Sequence, residues 1–174
     1  NFCDFDRDRM IYHMKSTEGP ALASGDANGD GLTDFYIGGA KDQAGALYIQ
    51  NKSGTFVLKM NTIFESDKGC EDVDAEFFDA DGDKDLDLYV VTGSSEIAEV
   101  SPRHTDRLYT NDGKGNFTFS TNSLPPMDTP KSCAKAADYD MDGDLDLFVA
   151  GLCIPGKYPL APQNYLLKNN GKGQ

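Results

Sequence analysis

The sequence predicts an all-β protein made of about three consecutive four-stranded antiparallel sheets. An aspartate-rich loop occurs three times in register, short β-favouring apolar runs flank each copy, and turn signals follow each copy in the same order. At 174 residues, 39% hydrophobic and 10% aromatic, the chain is long enough for one ordinary domain with a real core.

The loops are Asp26-Ala27-Asn28-Gly29-Asp30-Gly31-Leu32-Thr33-Asp34, Asp79-Ala80-Asp81-Gly82-Asp83-Lys84-Asp85-Leu86-Asp87 and Asp138-Tyr139-Asp140-Met141-Asp142-Gly143-Asp144-Leu145-Asp146. Their first aspartates are 53 and 59 residues apart, within the range of repeat architectures. Each loop follows a run of small or apolar residues: 20–23, 73–78 and 133–137. Each leads into a β-favouring run ending in glycine: 35–38, 88–93 and 147–151. A third strand recurs at 46–51, 107–111 and 164–169, where Tyr48, Tyr109 and Tyr165 read as matched positions in core or inter-sheet packing. Hairpin turns follow at Lys52-Ser53-Gly54, Asp112 to Gly115 and Asn170 to Gly173. A fourth strand follows twice, at 55–59 and 116–120, and the third copy reaches Gln174 before one.

Four short antiparallel strands per repeat describe the blade of a β-propeller. The blades are expected at approximately 17–66, 70–124 and 132–174, with 1–16 a possible outer strand of a preceding blade through Phe2, Phe5, Met10 and Ile11. Propellers close with about four to eight blades, so three form an incomplete ring with edge strands to cover. The remainder of a longer chain or self-assembly would complete it. The chain opens Asn1-Phe2-Cys3, without initiator Met or leader, and reads as a mature or excised segment.

Lys and Arg number 16 against 29 Asp and Glu, for a net charge of −13. The loops carry three, five and five acidic side chains, which equals that whole excess. Acidity gathered in this way argues against nucleic-acid binding, which needs a basic footprint. It argues for a bound cation, since carboxylates packed this densely repel one another. No run approaches the ~20 apolar residues of a transmembrane helix, so no membrane insertion is expected.

Within each loop, acidic or amide oxygens fall at positions 1, 3, 5 and 9: Asp26, Asn28, Asp30 and Asp34; Asp79, Asp81, Asp83 and Asp87; Asp138, Asp140, Asp142 and Asp146. Position 7 (Leu32, Asp85, Asp144) would add a backbone carbonyl, and glycines at position 4 or 6 permit the sharp turns. An all-oxygen anionic set suits Ca²⁺, with about six to eight ligands, better than Mg²⁺, which demands near-ideal octahedra. Zinc would want His or Cys. An EF-hand opens with the same pattern but needs Glu at position 12, and here that position is Ile37, Val90 or Val149. The competing reading, three metal-free Asp/Gly turns, leaves the matching register without a cause. Three calcium sites are therefore expected.

These loops resemble the FG-GAP and VCBS repeats of integrin α-subunit propellers and of bacterial surface proteins, along nearly the whole chain. The resemblance implies that the loop joins strands 1 and 2 of each blade and that the ion staples this hairpin. Asn28 and Leu32 leave the first loop with less charge, so its affinity is expected to be lowest. The resemblance implies a non-catalytic binding or adhesion module, outside the cell, on its surface or in the periplasm, with a protein or glycan partner. Alternatives are the propeller portion of a polysaccharide-degrading enzyme such as a lyase, or a structural spacer.

By propeller logic the connections between strands 2 and 3 lie on the face opposite the metal loops. They carry Glu96, Glu99, Arg103 and His104, then Lys157 and Tyr158, and this is the expected contact face. His104, with no G-x-S-x-G nucleophile motif, reads as a surface histidine, like His13. Asp72, Asp74 and Glu76 read as the solvent side of a strand or an outer shell for the ion. Cys3, Cys70, Cys133 and Cys153 form no CxxC pair. Two disulfides, Cys133–Cys153 across the third hairpin and Cys3–Cys70 by elimination, stand against buried free thiols.

Overall fold

The computed structural model describes residues 2–97 and 101–174. The alternation of apolar and polar residues around each loop produces antiparallel ladders. In the first sheet β1 (Leu22–Gly25), β2 (Asp34–Ile37), β3 (Ala46–Gln50) and β4 (Phe56–Lys59) follow one another as neighbours. The second repeats the order with β5 (Asp72–Phe78), β6 (Asp87–Thr92), β7 (Arg107–Thr110) and β8 (Thr118–Phe119). The third has β9 (Lys131–Ala137), β10 (Asp146–Gly151) and β11 (Tyr165–Leu167), leaving the outer edge of β11 unpaired among the described residues. These are blades of an incomplete propeller, with β1, β5 and β9 packed side by side.

Each gap between blades is lined by side chains from both sides. Between the first two, Tyr36, Leu47, Phe64, Leu88, Tyr109 and Phe117 form one buried cluster. Between the second and third, Phe78, Tyr89, Leu108, Leu147 and Val149 belong to another. The register aligns the repeats: Phe35 faces Tyr48, Leu88 faces Tyr109, and Leu147 faces Leu167. Leu167, not Tyr165, thus stands at the position of Tyr48 and Tyr109. Tyr165 lies two residues earlier, opposite Val149.

The stretch 2–16 contains no strand. Asp4–Arg7 forms one helical turn, α1, because its polar residues find partners at the ends of other blades rather than along an edge. Asp4 accepts from Ser16 and Ser95, and the Arg7 guanidinium binds the carbonyls of Ser95, Glu96 and Ile97. Asp8 accepts the backbone N–H groups of Gly156 and Tyr158 at 2.9 and 3.1 Å. This segment therefore ties together both long strand 2–3 connections, on the face where a contact surface was expected. A second short helix, α2 (Thr62–Ser66), inserts Phe64 between the first two blades.

All four cysteines are free. Cys133 pairs with Ala150 across the ladder, which is irregular at Ala150–Gly151, and Cys153 lies beyond the end of β10. Burial pushes the Cys153 thiol up to about 11. The Cys133–Cys153 and Cys3–Cys70 bridges expected from the sequence are not formed.

Candidate metal centres

Every aspartate loop is the turn between strands 1 and 2 of its blade. The position-9 aspartate opens strand 2 and is buried in all three: Asp34, Asp87 and Asp146. One of its oxygens accepts the N–H of loop position 2, from Ala27, Ala80 or Tyr139, at 3.0, 2.9 or 3.4 Å. The other accepts the N–H at the end of strand 3, from Gln50, Asn111 or Asn169, at 2.8, 2.9 or 2.7 Å. Position 9 thus anchors the loop to the third strand.

Position 1 organises the far side. Asp26 accepts the N–H groups of Asp30 and Gly31 at 3.1 and 2.7 Å. Asp79 accepts those of Gly82 and Lys84 at 2.8 and 3.0 Å. Asp138 accepts those of Asp142 and Gly143 at 3.2 and 3.1 Å. At position 5, Asp30, Asp83 and Asp142 each accept the N–H two residues on, at 2.9, 3.0 and 3.1 Å. Positions 4 and 6 are left-handed in every loop, including the non-glycine residues Met141 at φ 62° and Lys84 at φ 77°.

The second and third loops bring three carboxylates together. Oxygens of Asp79, Asp81 and Asp87 lie within 4.8 Å of one another, as do those of Asp138, Asp140 and Asp146. In the first loop the amide of Asn28 replaces a carboxylate and donates to Asp30 at 3.1 Å. At position 7 the Asp85 and Asp144 side chains lie against the strand 3–4 turns. A Cβ on Gly113 would come within 3.3 Å of Asp85 Oδ2, and one on Gly171 within 2.6 Å of Asp144 Oδ2.

The electrostatics favour a cation. Desolvation, then the charges of Asp83, Asp81, Asp79 and Asp112, push Asp85 up to about 6. Desolvation, opposed by two backbone hydrogen bonds, raises Asp87 to about 6. Asp85 Oδ1 is buried with no hydrogen-bond partner among the described residues. An orphaned carboxylate oxygen beside a group of acidic oxygens fits a hard divalent ion. The third loop differs: the Lys168 ammonium contacts Asp140 Oδ2 and lies 3.2 Å from Asp142 Oδ2.

A family model described as FG-GAP-like repeat matches residues 26–90 and 92–149, together more than half of the chain. The chain belongs to the FG-GAP-like repeat family. The first matched segment begins on Asp26 and takes in two aspartate loops, and the second contains the third, so the FG-GAP-like repeats include the loops described above. No curated protein matches the chain. Among solved structures, one described as the basis of specific recognition of non-reducing terminal N-acetylglucosamine by an Agrocybe aegerita lectin is similar at 19% identity and a TM-score of 0.49. The match covers 88% of this chain and 39% of that one, so the chain spans about two fifths of that structure's length.

Asp72, Asp74 and Glu76, expected on a solvent face or around an ion, instead join blades. Asp72 is buried, accepts the Tyr36 hydroxyl at 3.0 Å and the Gly39 N–H at 2.8 Å, and pairs with Arg107. Asp74 accepts the N–H of Ala134 at 3.0 Å, and Glu76 pairs with Lys135 at 2.6 Å. They serve the neighbouring blades because β5 lies between β1 and β9, although Asp74 and Glu76 remain partly exposed. At the next junction Asp106 accepts the Tyr89 hydroxyl at 2.7 Å and lies 3.2 Å from Lys131 Nζ.

His104, expected at the surface, is completely buried in the Pro102–His104 turn, whose carbonyl holds Lys131. His13 is partly exposed, 3.1 Å from Glu18. Glu96 pairs with Lys41 at 3.0 Å, Arg103 and Tyr158 are exposed, and Glu99 lies outside the described residues. Sequence reasoning missed Asn111 and Asn169. Their signal was a recurring amide just before the strand 3–4 turn.

Proposed function

We propose that the chain is a calcium-binding, non-catalytic propeller module of an extracellular or cell-surface protein, in which ions in the strand 1–2 loops rigidify blades that present a surface to a protein or glycan partner. The observation that carries this reading is the convergence of Asp79, Asp81 and Asp87, and again of Asp138, Asp140 and Asp146, on single points. Asp83, Asp142 and the carbonyls at position 7 would complete each oxygen shell, and the ion would supply the positive charge these loops need. The first loop, with Asp26, Asn28, Asp30, Leu32 and Asp34, would form a weaker third site because it holds fewer charges. The non-catalytic role is supported by the buried polar side chains, which are engaged structurally: Asp72 with Tyr36 and Asp106 with Lys131 between blades, and Arg107 with Asp72 within the second blade.

Calorimetric titration of the metal-free chain with calcium tests the proposal. Three binding events are expected, with one lost in Asp83→Ala and a different one in Asp142→Ala. Absence of calcium binding at millimolar concentration overturns it.

A further inference from the structure

Residues 2–18 are held to the rest of the molecule differently from any strand. Among the described residues, their backbone–backbone hydrogen bonds are internal: Asp6 to Cys3, Asp8 to Asp4, Ile11 to Asp8 and Glu18 to Lys15. No ladder joins them to a blade. Of these residues only Asp4 and Ile11 are buried, while Met10 and Tyr12 are 74% and 80% exposed. A segment with little buried apolar surface and no shared ladder has a low local opening free energy.

Three side chains latch the segment down. Asp4 accepts the Ser95 hydroxyl, and the Arg7 guanidinium donates to three successive carbonyls, those of Ser95, Glu96 and Ile97. Asp8 accepts the N–H groups of Gly156 and Tyr158. The latch therefore spans the second and third blades, and Lys41 of the first blade reaches it through Glu96 at 3.0 Å. At the other end of the segment the chain turns at Gly19, with φ 106°. The first blade begins just beyond, where the Ala21 N–H donates to the Asp72 carbonyl at 3.1 Å. Cys153 lies beneath the segment, 9% exposed. The charges that act most strongly on its thiol are those of Lys15, Asp8, Glu18 and Asp4, all on the segment.

We propose that residues 2–18 are a hinged strap, which opens as one unit about Gly19 while the three blades stay folded. Closure masks the carbonyls of residues 95–97, the N–H groups of Gly156 and Tyr158, and the Cys153 thiol. Opening requires rotation at one glycine and release of three side chains, and it leaves every strand pairing intact. The strap thereby gates the strand 2–3 face. Its value as a gate rests on the reading of that face as the contact surface, whereas the opening itself does not.

Pulse alkylation with iodoacetamide, read peptide by peptide by mass spectrometry, tests the strap in the parent, in Arg7→Ala and in Asp8→Ala. Hydrogen exchange is followed alongside. Labelling of Cys153 tracks the open population when reclosing is fast. It is expected to rise about tenfold or more in each variant, the effect of losing charge-assisted hydrogen bonds. The β5 and β6 amides should exchange as in the parent. Cys153 labelling unchanged in both variants overturns the proposal. The parent supplies a second measure that stands even where a variant unfolds. Exchange of the Ile11 amide is expected to be nearly independent of urea below the unfolding transition, because local opening exposes little surface. A urea dependence equal to that of the β6 amides also overturns the proposal, since the segment would then open only with the blades. Neither readout needs calcium or a partner, so its failure is distinct from failure of the proposed function.

Discussion

The side-chain amide of Asn169, in the third blade, donates to the backbone carbonyl of Ala80, in the second aspartate loop, at 2.7 Å. The same amide reaches the Leu145 carbonyl at 3.1 Å, inside the third aspartate loop. One side chain therefore couples two successive loops, and Asn111 does the same for Ala27 and Leu86. These hydrogen bonds tie each loop to the loop of the neighbouring blade.

Asn169→Ala removes these donors and leaves two carbonyls unpaired. A loss of about 1–3 kcal/mol in urea unfolding is expected. Calcium binding should weaken at the second and third loops and not at the first. Equal weakening at all three would show that the amide acts on the fold in general.

Lys131 is fully buried, held by the carbonyls of His104 and Met127 and by Asp106. Lys131→Met removes the cation and strands a buried carboxylate, at an expected cost of about 3–5 kcal/mol. Adding Asp106→Asn should recover part of that loss. If the double variant is no more stable than the single, the carboxylate charge is not what the lysine offsets.

The metal-free chain should lose stability as pH rises from about 4 to 6. Asp85 has an ordinary value of 3.8 and is raised to about 6 in the folded state. A raised acid binds its proton more tightly when folded, so its ionisation penalises the fold: the penalty is absent below 3.8 and complete above about 6. With EDTA present, Asp85→Asn should be more stable than the parent at pH 7, and the difference should shrink towards pH 4. A difference constant with pH would contradict this. Added calcium should reverse the ranking at pH 7.

Lys168 pairs with Asp140 and Asp142, and would compete with a cation for them. Lys168→Ala should tighten calcium binding at the third loop alone, read as one altered phase in the titration. Unchanged affinity there would mean that the ammonium swings clear when the ion arrives.

The three blades, the placement of each loop between strands 1 and 2, and the approach of Asp79, Asp81 and Asp87 and of Asp138, Asp140 and Asp146 were legible in the sequence, because all depend on local patterns. Alternation creates strands, and D-x-D/N-x-D spacing turns oxygens inward over a few residues. The junctions between blades were not legible. Asp72 looks like any polar strand residue until Tyr36 approaches it from the first blade and Arg107 from the third strand of its own blade. His104 looked like a surface histidine until the 101–106 connection folded inwards, and Cys133 and Cys153 looked like partners until the ladder placed Ala150 opposite Cys133. Residues 1–16 were read as a possible outer strand on their apolar content, but Asp4, Arg7 and Asp8 bind connections 90 to 150 residues away. Short-range backbone geometry was determined by the sequence alone. Which polar group meets which across a blade junction was decided by tertiary packing, since burial makes each unpaired charge costly and so selects its partner.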